Sequence, residues 1–163
     1  MKGKNSLSSV FSFCLGFVIV FVLMHCVLFH AYVPSQSMVP TIEIGDHLLG
    51  YRLFQKINRR DIIIFHDPDG SGKYLVKRVI GMPGETVSIH DGNVYINGSL
   101  LEEDYVENKC SEDEVFEYTV DADSYFVMGD NRTESYDARY WKNKKVTDDD
   151  IVGVVFCRIW PWR

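Results

Sequence analysis

The sequence predicts a mainly β protein in which a single transmembrane helix precedes one outer domain. Residues 10–33 are apolar almost throughout, and about 20 such residues span a bilayer as a helix. After Val33, short runs of β-branched residues recur, and no long pattern with a 3.6-residue period appears. A length of 163 residues allows one modest domain in addition to the helix.

The first residues set the orientation of the predicted helix. Lys2 and Lys4 lie before it, and no further Lys or Arg appears until Arg52. Because positive charge stays on the cytosolic side of a membrane, we expect residues 1–9 to form a cytosolic basic tail and residues 10–33 a single-pass anchor. The outer domain then faces the extracytoplasmic side of the plasma membrane.

Two other interpretations of the apolar run are less favoured than the anchor. A buried core helix is disfavoured because soluble domains rarely carry an uncharged run of this length. A cleaved signal peptide is disfavoured because its apolar stretch is about 7–15 residues long, and because no small-x-small cleavage site closes this run before Pro34.

Charge and metal-ligand patterns argue against several function classes. Without Lys2 and Lys4, the chain carries 15 basic and 23 acidic side chains and hence a net charge of −8, whereas a nucleic-acid interface needs clustered Lys and Arg. The five His and four Cys show no metal-binding spacing, so we expect no metal and no cofactor. A disulfide between Cys110 and Cys157 stays open, because pairing depends on geometry that the sequence does not give.

Six apolar or β-branched runs of the outer domain are predicted to be strands. Asp91-Gly92 separates two of them and Asn97-Gly98 follows the second, so residues 87–99 are predicted to form a hairpin with an Asp-Gly turn and then a further turn. The predicted strands are residues 62–65, 74–80, 86–89, 94–96, 125–128 and 151–160.

Residues 102–123 interrupt the strand pattern and are dense in Asp and Glu. We name them the acid-rich segment. A solvated surface loop is the favoured interpretation, because a run of like charges repels itself and stays in water.

Four segments differ from ordinary strand or loop sequence. The first, residues 34–41 (PSQSMVPT), begins where the apolar run ends. Residues 61–65 (DIIIF) are typical of a buried strand, and residues 77–85 (KRVIGMPGE) begin with a lysine inside an apolar strand and close with a Pro-Gly turn. The last, residues 129–139 (GDNRTESYDAR), is a polar stretch after an apolar strand, and we name it the 129–139 loop.

Taken together and in this order, the four segments resemble those of the bacterial type I signal peptidases, which are membrane-bound endopeptidases with a Ser/Lys dyad. The ending from Gly153 to Pro161 is similar too, so the resemblance covers nearly the whole chain. It implies a β-rich, signal-peptidase-like catalytic core formed by residues 34–85 and 125–163. The family's variable second β domain would be reduced to a small inserted subdomain at residues 86–124.

The chemistry of amide hydrolysis can be matched to these residues directly. It needs a nucleophile, a group that takes the nucleophile's proton, and donors for the oxyanion. No His lies in the four segments, so with Ser37 as nucleophile Lys77 is the residue suited to be general base. Activity near neutral pH requires the pKa of Lys77 to fall by about 2–3 units from a value near 10.4. The apolar neighbours Leu75, Val76 and Val79 favour that shift by desolvation.

The resemblance implies a role for each matching catalytic residue. Ser37 would attack the scissile carbonyl, and Lys77 would accept the proton and later deliver it. The Ser35 hydroxyl and the Ser37 backbone amide would form the oxyanion hole. Ser135 would orient the lysine by a hydrogen bond.

Further positions match supporting and substrate-binding residues of the family. Asp137 and Arg139 would form a supporting ion pair, and Arg78 would be structural. The family selects small residues at the first and third positions before the cut, with the peptide bound as an added strand. The positions that match its pockets are Val33, Pro34, Met38, Ile42, Leu75 and Val76.

The resemblance implies a membrane-bound serine endopeptidase that removes N-terminal signal peptides from exported preproteins, cutting at A-x-A-like sites. Its partners would be preproteins, the lipid bilayer and the secretion translocon, with no nucleic acid. Two alternatives stay open: an organellar inner-membrane peptidase of the same family, and a catalytically decayed, membrane-tethered β domain. Relatives of the eukaryotic secretory pathway carry a His at the position of Lys77, which disfavours them. Departures from the family pattern at Ala138, Arg60 and Leu75 leave fine substrate preference open.

Overall fold

The computed structural model describes residues 4–22, 26–53 and 56–160. Residues 1–3, 23–25, 54–55 and 161–163, which belong to the predicted tail, anchor and catalytic core, lie outside the described residues. Helix α1 is Lys4–Val22, and a 3-10 turn at Asp148–Asp150 precedes the last strand. The strands are β1 Leu28–Tyr32, β2 His47–Tyr51, β3 Ile62–His66, β4 Tyr74–Gly81, β5 Thr86–His90, β6 Asn93–Ile96, β7 Ser99–Leu100, β8 Phe116–Thr119, β9 Ser124–Met128, β10 Val146–Thr147 and β11 Ile151–Trp160.

The strands form two sheets whose neighbours run antiparallel. The larger has the order β1-β2-β11-β3-β4-β9-β10 and the smaller the order β7-β6-β5-β8. In the smaller sheet, the turns Asp91-Gly92 and Asn97-Gly98 have φ values of 50° and 70°, and of 51° and 79°. Two positive φ values are what a two-residue type I′ hairpin turn needs. The predicted hairpin with its second turn is confirmed, and so is the mainly β fold.

One hydrophobic core connects the two sheets. Strands β3, β4 and β9 of the larger sheet contribute Ile63, Val79 and Phe126, which are fully buried. Val87 and Ile89 of β5 are equally buried and belong to the same cluster. Because burying such a side chain stabilises a fold by about 1.5–3 kcal/mol, core packing holds the smaller sheet against the larger.

The structure corrects the C-terminal end of the predicted anchor, residues 10–33. Helix α1 ends at Val22, and residues 28–32 form β1, which pairs with β2. Strand β1 forms here because the ring of Phe29 fits into a notch beside β2, which Gly50 and Gly153 leave open. A side chain at either glycine would collide with the ring, which is 7% exposed. Across residues 4–22, 26–53 and 56–160, no helix is both long enough and apolar enough to cross a membrane.

The disulfide that the sequence left open is not formed. Cys110 and Cys157 are both free thiols. Cys110 is buried, and burial raises the pKa of its thiol. Its Sγ accepts a hydrogen bond from Arg139 Nη1 at 3.6 Å.

The structure explains how Arg60, one of the departures from the family pattern, is accommodated. Its φ of 76° lies in the left-handed region, which glycine adopts without strain. Its backbone N–H donates to the Val79 carbonyl and its carbonyl accepts from Arg78 Nη1, both at 2.9 Å. These hydrogen bonds hold an arginine in a conformation that favours glycine.

Candidate active site

Ser37 lies in the segment that leaves the edge strand β1. Val33 donates to the Asp46 carbonyl and accepts from the Gly45 N–H, both at 2.9 Å, which fixes the start of this segment. Ser37 is only 9% exposed, and its Oγ is 3.4 Å from Ser35 Oγ. The two serines predicted to act together are therefore neighbours.

Lys77 lies on β4, opposite Ile63 of β3, and is only 4% exposed. Burial lowers its pKa from 10.5 to about 8. The nearby Asp137 carboxylate opposes this shift, and the Arg139 guanidinium adds to it. The lowered pKa lies in the range that a general base near neutral pH requires.

A cleft of about 300 Å³ brings these residues together, since Ser35, Ser37 and Lys77 all line it. Ile42, predicted to bind substrate, is not part of the lining; it is 3% exposed and packs against Met38 beneath the cleft. The other predicted substrate-binding residues line the cleft: Val33, Pro34, Met38, Leu75 and Val76. Sequence reasoning missed further lining residues: Ala31, Tyr32, Ile64, Lys73 and Tyr74.

The 129–139 loop holds the backbone around Ser37. The Asn131 N–H donates to the Ser37 carbonyl at 3.1 Å, and Asn131 Nδ2 donates to the Gln36 carbonyl at 3.3 Å. A side chain at Gly129 would collide with the Ser37 carbonyl and with Ser135 Oγ. The close approach of the two segments therefore requires glycine at this position.

Ser135 and the Asp137–Arg139 pair lie beside this contact. Ser135 is 4% exposed, and its Oγ has no hydrogen-bond partner among the described residues, so the predicted hydrogen bond to Lys77 is not formed. The predicted ion pair is present, with Arg139 Nε donating to Asp137 Oδ1 at 2.8 Å and both side chains fully buried. Asp137 also accepts from the Gly129 N–H at 2.9 Å.

Arg78, next to Lys77, connects the elements around the cleft. Its Nε and Nη2 donate to the two carboxylate oxygens of Asp130 at 2.8 and 2.6 Å. Thr41 Oγ1 donates to the same carboxylate at 2.5 Å. The guanidinium also lies over the ring of Tyr105, 4.0 Å from its centroid. These contacts join β4, the Ser37 segment and the 129–139 loop.

Two carboxylates of the acid-rich segment pair with arginines of the 129–139 loop. Glu103 accepts from Arg132 at 2.5 and 2.7 Å, and Glu114 accepts from Arg139 at 3.1 Å. Their side chains are 11% and 17% exposed. The prediction of a solvated loop is wrong for these two residues, because a buried guanidinium requires an anionic partner. It is also wrong for Cys110, which is buried, and for Phe116–Thr119, which form β8 and pair with β5. The signal in the sequence is the presence of two arginines, Arg132 and Arg139, in a segment predicted to carry site residues.

Comparisons with known proteins agree on one family. A family model described as signal peptidase, peptidase S26, matches residues 6–160. Signal peptidase I of Leptolyngbya laminosa is 40% identical over 140 residues, which cover 80% of this chain and 68% of that protein. The probable signal peptidase I-2 of Synechocystis sp. is 38% identical over 142 residues, which cover 80% of this chain and 62% of that protein. The chain thus spans about two thirds of the length of these relatives.

A solved structure is similar as well. The crystal structure of a signal peptidase I from Enterococcus faecalis V583 matches with a TM-score of 0.55 and 37% sequence identity. The match covers 64% of this chain and 100% of that chain.

Proposed function

Because this chain belongs to the signal peptidase family, peptidase S26, we propose that it is a membrane-bound serine endopeptidase that removes N-terminal signal peptides from exported preproteins. One observation carries the proposal. Ser37 and Lys77 line the same cleft, and the pKa of this buried lysine is lowered to about 8.

Ser37 Oγ is the proposed nucleophile and Lys77 the proposed general base. The neutral amine takes the hydroxyl proton as the oxygen attacks the scissile carbonyl, and it then delivers that proton to the leaving amine. Water, activated by the same lysine, releases the acyl group from Ser37. With a pKa of about 8, about one lysine in ten is neutral at pH 7, which supports this role.

The Ser35 hydroxyl and the Ser37 backbone N–H are proposed to bind the oxyanion. Donors aimed at the developing negative charge stabilise the tetrahedral intermediate. The distance of 3.4 Å between the two serine hydroxyl oxygens supports this role for Ser35. A carbonyl attacked by Ser37 would lie within reach of both donors.

Ser135 is the proposed orienting residue for Lys77. Its hydroxyl is buried and engages no other group in the described part of the chain, which leaves it available to the amine. Asp137 and Arg139 are proposed to hold the loop that carries Ser135. Their opposite charges also act on the lysine, since the carboxylate raises its pKa and the guanidinium lowers it.

The substrate is proposed to bind as an added strand beside residues 74–77. These residues pair with β3 on one side, whereas the pairing of β4 with β9 begins at Arg78, so the other edge has no strand partner among the described residues. Unpaired backbone groups at an edge accept an extended peptide. The apolar lining by Val33, Leu75 and Val76 favours small side chains, such as those of an A-x-A site.

We propose a single-pass protein with a cytosolic N-terminus and with helix α1 as its membrane contact, although the described part of α1 does not by itself reach the length and apolarity of a membrane-crossing helix. The apolar side chains of α1 between Val10 and Val22 are exposed, with Phe11 at 69% and Phe13 at 76%. A large exposed apolar surface marks contact with another apolar phase. The catalytic domain would then face the extracytoplasmic side of the plasma membrane, where the translocon delivers preproteins. Tethering enzyme and substrate to one surface raises their effective concentration.

Cleavage of a preprotein with an A-x-A site by the detergent-solubilised chain tests the proposal. The key variant is Ser37→Ala, and the matched control is Ser99→Ala, at an exposed position of β7. We expect cleavage at that site by the parent and the control, and none by Ser37→Ala. A folded parent that does not cleave would instead indicate a decayed, tethered domain.

A further inference from the structure

We propose that the acid-rich segment positions the nucleophile. Glu103 and Asn108 hold the 129–139 loop, and this loop holds the backbone of Ser37. The inference rests on the proposed peptidase activity and adds positioning residues to it. Neither Glu103 nor Asn108 lies in the four segments that carry the family resemblance.

The path begins at Arg132, whose side chain is 1% exposed. Its Nη1 and Nη2 donate to the two oxygens of Glu103 at 2.7 and 2.5 Å. Its Nε donates to the Gly129 carbonyl at 2.9 Å. Because a bidentate pair fixes the plane of a guanidinium, Glu103 holds Arg132 in the orientation that also binds the start of the 129–139 loop.

Asn108 carries the path to Ser37. The Asn108 carbonyl accepts from the Arg132 N–H at 3.2 Å, and Asn108 Nδ2 donates to Asn131 Oδ1 at 3.3 Å. Asn131 in turn donates its N–H to the Ser37 carbonyl at 3.1 Å and its Nδ2 to the Gln36 carbonyl at 3.3 Å. Asn108 therefore binds two consecutive residues of the loop, Asn131 and Arg132. Asn131 in turn binds the backbone of the segment that carries Ser37.

Arg139 provides a second link between the acid-rich segment and the 129–139 loop. Arg139 Nη2 donates to the Arg132 carbonyl at 2.7 Å, Nε donates to Asp137 at 2.8 Å, and Nη1 donates to Glu114 at 3.1 Å. Within the described residues of the loop, one carboxylate forms a salt bridge with a buried arginine of the loop: Asp137, which pairs with Arg139. The acid-rich segment supplies the remaining two, Glu103 and Glu114.

These contacts act on the reaction as well as on stability. The Ser37 carbonyl and Oγ belong to one residue, so a shift of the Asn131 hydrogen bond moves the attacking oxygen. Small displacements of a reacting group reduce rates strongly. The cleft lining includes neither Glu103 nor Asn108, so their loss should lower kcat and leave KM nearly unchanged.

The experiment compares Glu103→Gln and Asn108→Ala with Glu107→Gln, an exposed acid of the same segment. Kinetics are measured with the A-x-A preprotein, at a temperature where each variant is folded by circular dichroism. We expect kcat to fall about 10–100-fold in Glu103→Gln and less in Asn108→Ala, with KM within about twofold of the parent. The control should match the parent in both constants.

Three outcomes overturn the inference: a parental kcat in Glu103→Gln and Asn108→Ala, an equal loss in Glu107→Gln, or a loss that appears in KM instead of kcat. If Glu103→Gln does not fold, Asn108→Ala decides, because its side chain is exposed. If the parent itself cleaves nothing, the proposed function fails, and hydrogen exchange tests the positioning separately. The Asn131 amide should then exchange faster in the variants than in the parent, and unchanged exchange would refute the positioning.

Discussion

Burial lowers the pKa of Lys77 from 10.5 to about 8, so the folded chain releases this proton more easily than the unfolded chain. Below pH 8 both states carry the proton, and the fold bears the whole cost of a buried ammonium, about 3 kcal/mol for a shift of this size. Between pH 8 and 10.5 the unfolded chain binds more protons than the folded one. Stability from this group therefore rises with pH across that window.

Lys77→Met removes the proposed base and this cost together. We expect no cleavage and, at pH 6.5, a free energy of unfolding up to about 3 kcal/mol above that of the parent. Methionine fills a similar buried space without a charge. The gain should shrink as the pH approaches 10. Denaturant unfolding at both pH values measures it, and a variant less stable than the parent at pH 6.5 would contradict the desolvation argument.

Ser35→Ala tests the proposed oxyanion donor. We expect kcat to fall by about 10²–10³-fold with little change in KM, because the lost hydrogen bond forms only when charge develops on the carbonyl oxygen. Ser35→Thr, which keeps a hydroxyl, is the matched control and should retain most of the activity. Steady-state kinetics on the same preprotein give both constants. Equal rates for Ser35→Ala and the parent would assign the role to another group.

At the scale of elements, strands β1, β2 and β11 meet at the notch that receives Phe29. Gly50 on β2 and Gly153 on β11 leave room for the ring, and a side chain at either position would collide with it. The edge strand that leads into the Ser37 segment is therefore held by one aromatic ring against two glycines.

Gly153→Ala should destabilise the fold by about 1–3 kcal/mol, because the added methyl group overpacks the notch. Gly16→Ala in α1 is the matched control, since nothing lies within 4 Å of a side chain placed there. Adding Phe29→Leu to Gly153→Ala should recover part of the loss, because the ring is one of the two groups that collide, and the other, the Tyr51 carbonyl oxygen, stays in place. Chemical unfolding of the four proteins measures the differences. An unchanged stability in Gly153→Ala would contradict this argument, because it would show that the residues around the notch move aside at no cost in stability.

How far the elements could be predicted depends on the range of the interactions that fix them. The predicted strands at residues 62–65 and 94–96 agree with β3 and β6 to within one residue, because composition and turn residues define them locally. Strand β1 could not be predicted, since a continuous apolar run has no period that separates helix from strand. Its strand form depends on the notch at Gly50 and Gly153, which are distant in the sequence.

The candidate site divides in the same way. Ser37 and Lys77 could be singled out because their segments resemble those of the family and because amide hydrolysis needs their residue types, and the structure places both on one cleft. Their roles stay proposals that the experiments above test. The partner of Arg132 could not be predicted, because Glu103 is 29 positions away and resembles its solvated neighbours in sequence. Only the fold shows which carboxylates meet a buried guanidinium.

At the scale of the whole molecule, the shared core makes the two sheets one folding unit. Ile89 of β5 and Ile63 of β3 belong to the same buried cluster. The order and spacing of the four segments also belong to this scale. They predicted the family, and the match over residues 6–160 confirms it.

Ile89→Ala should lower the stability of both sheets together. We expect a loss of about 2–5 kcal/mol that appears equally in the hydrogen exchange of β3 amides and of β5 amides, because the two sheets unfold in one transition. Leu100→Ala, at a position 57% exposed in the same small sheet, is the control and should change little. Protection lost in β5 but kept in β3 would mean that the smaller sheet unfolds alone.

The closeness of α1 and β1 in the sequence has a consequence for the choice of cleavage site. Helix α1 ends at Val22 and β1 begins at Leu28, and six Cα steps span at most about 22 Å. The cleft is therefore kept at a limited height above the end of α1. With α1 in the bilayer as proposed, this distance limits how far above the membrane a substrate can be cut. A site of ideal sequence would escape cutting if it emerged too far from the membrane, so distance would select substrates alongside side-chain size.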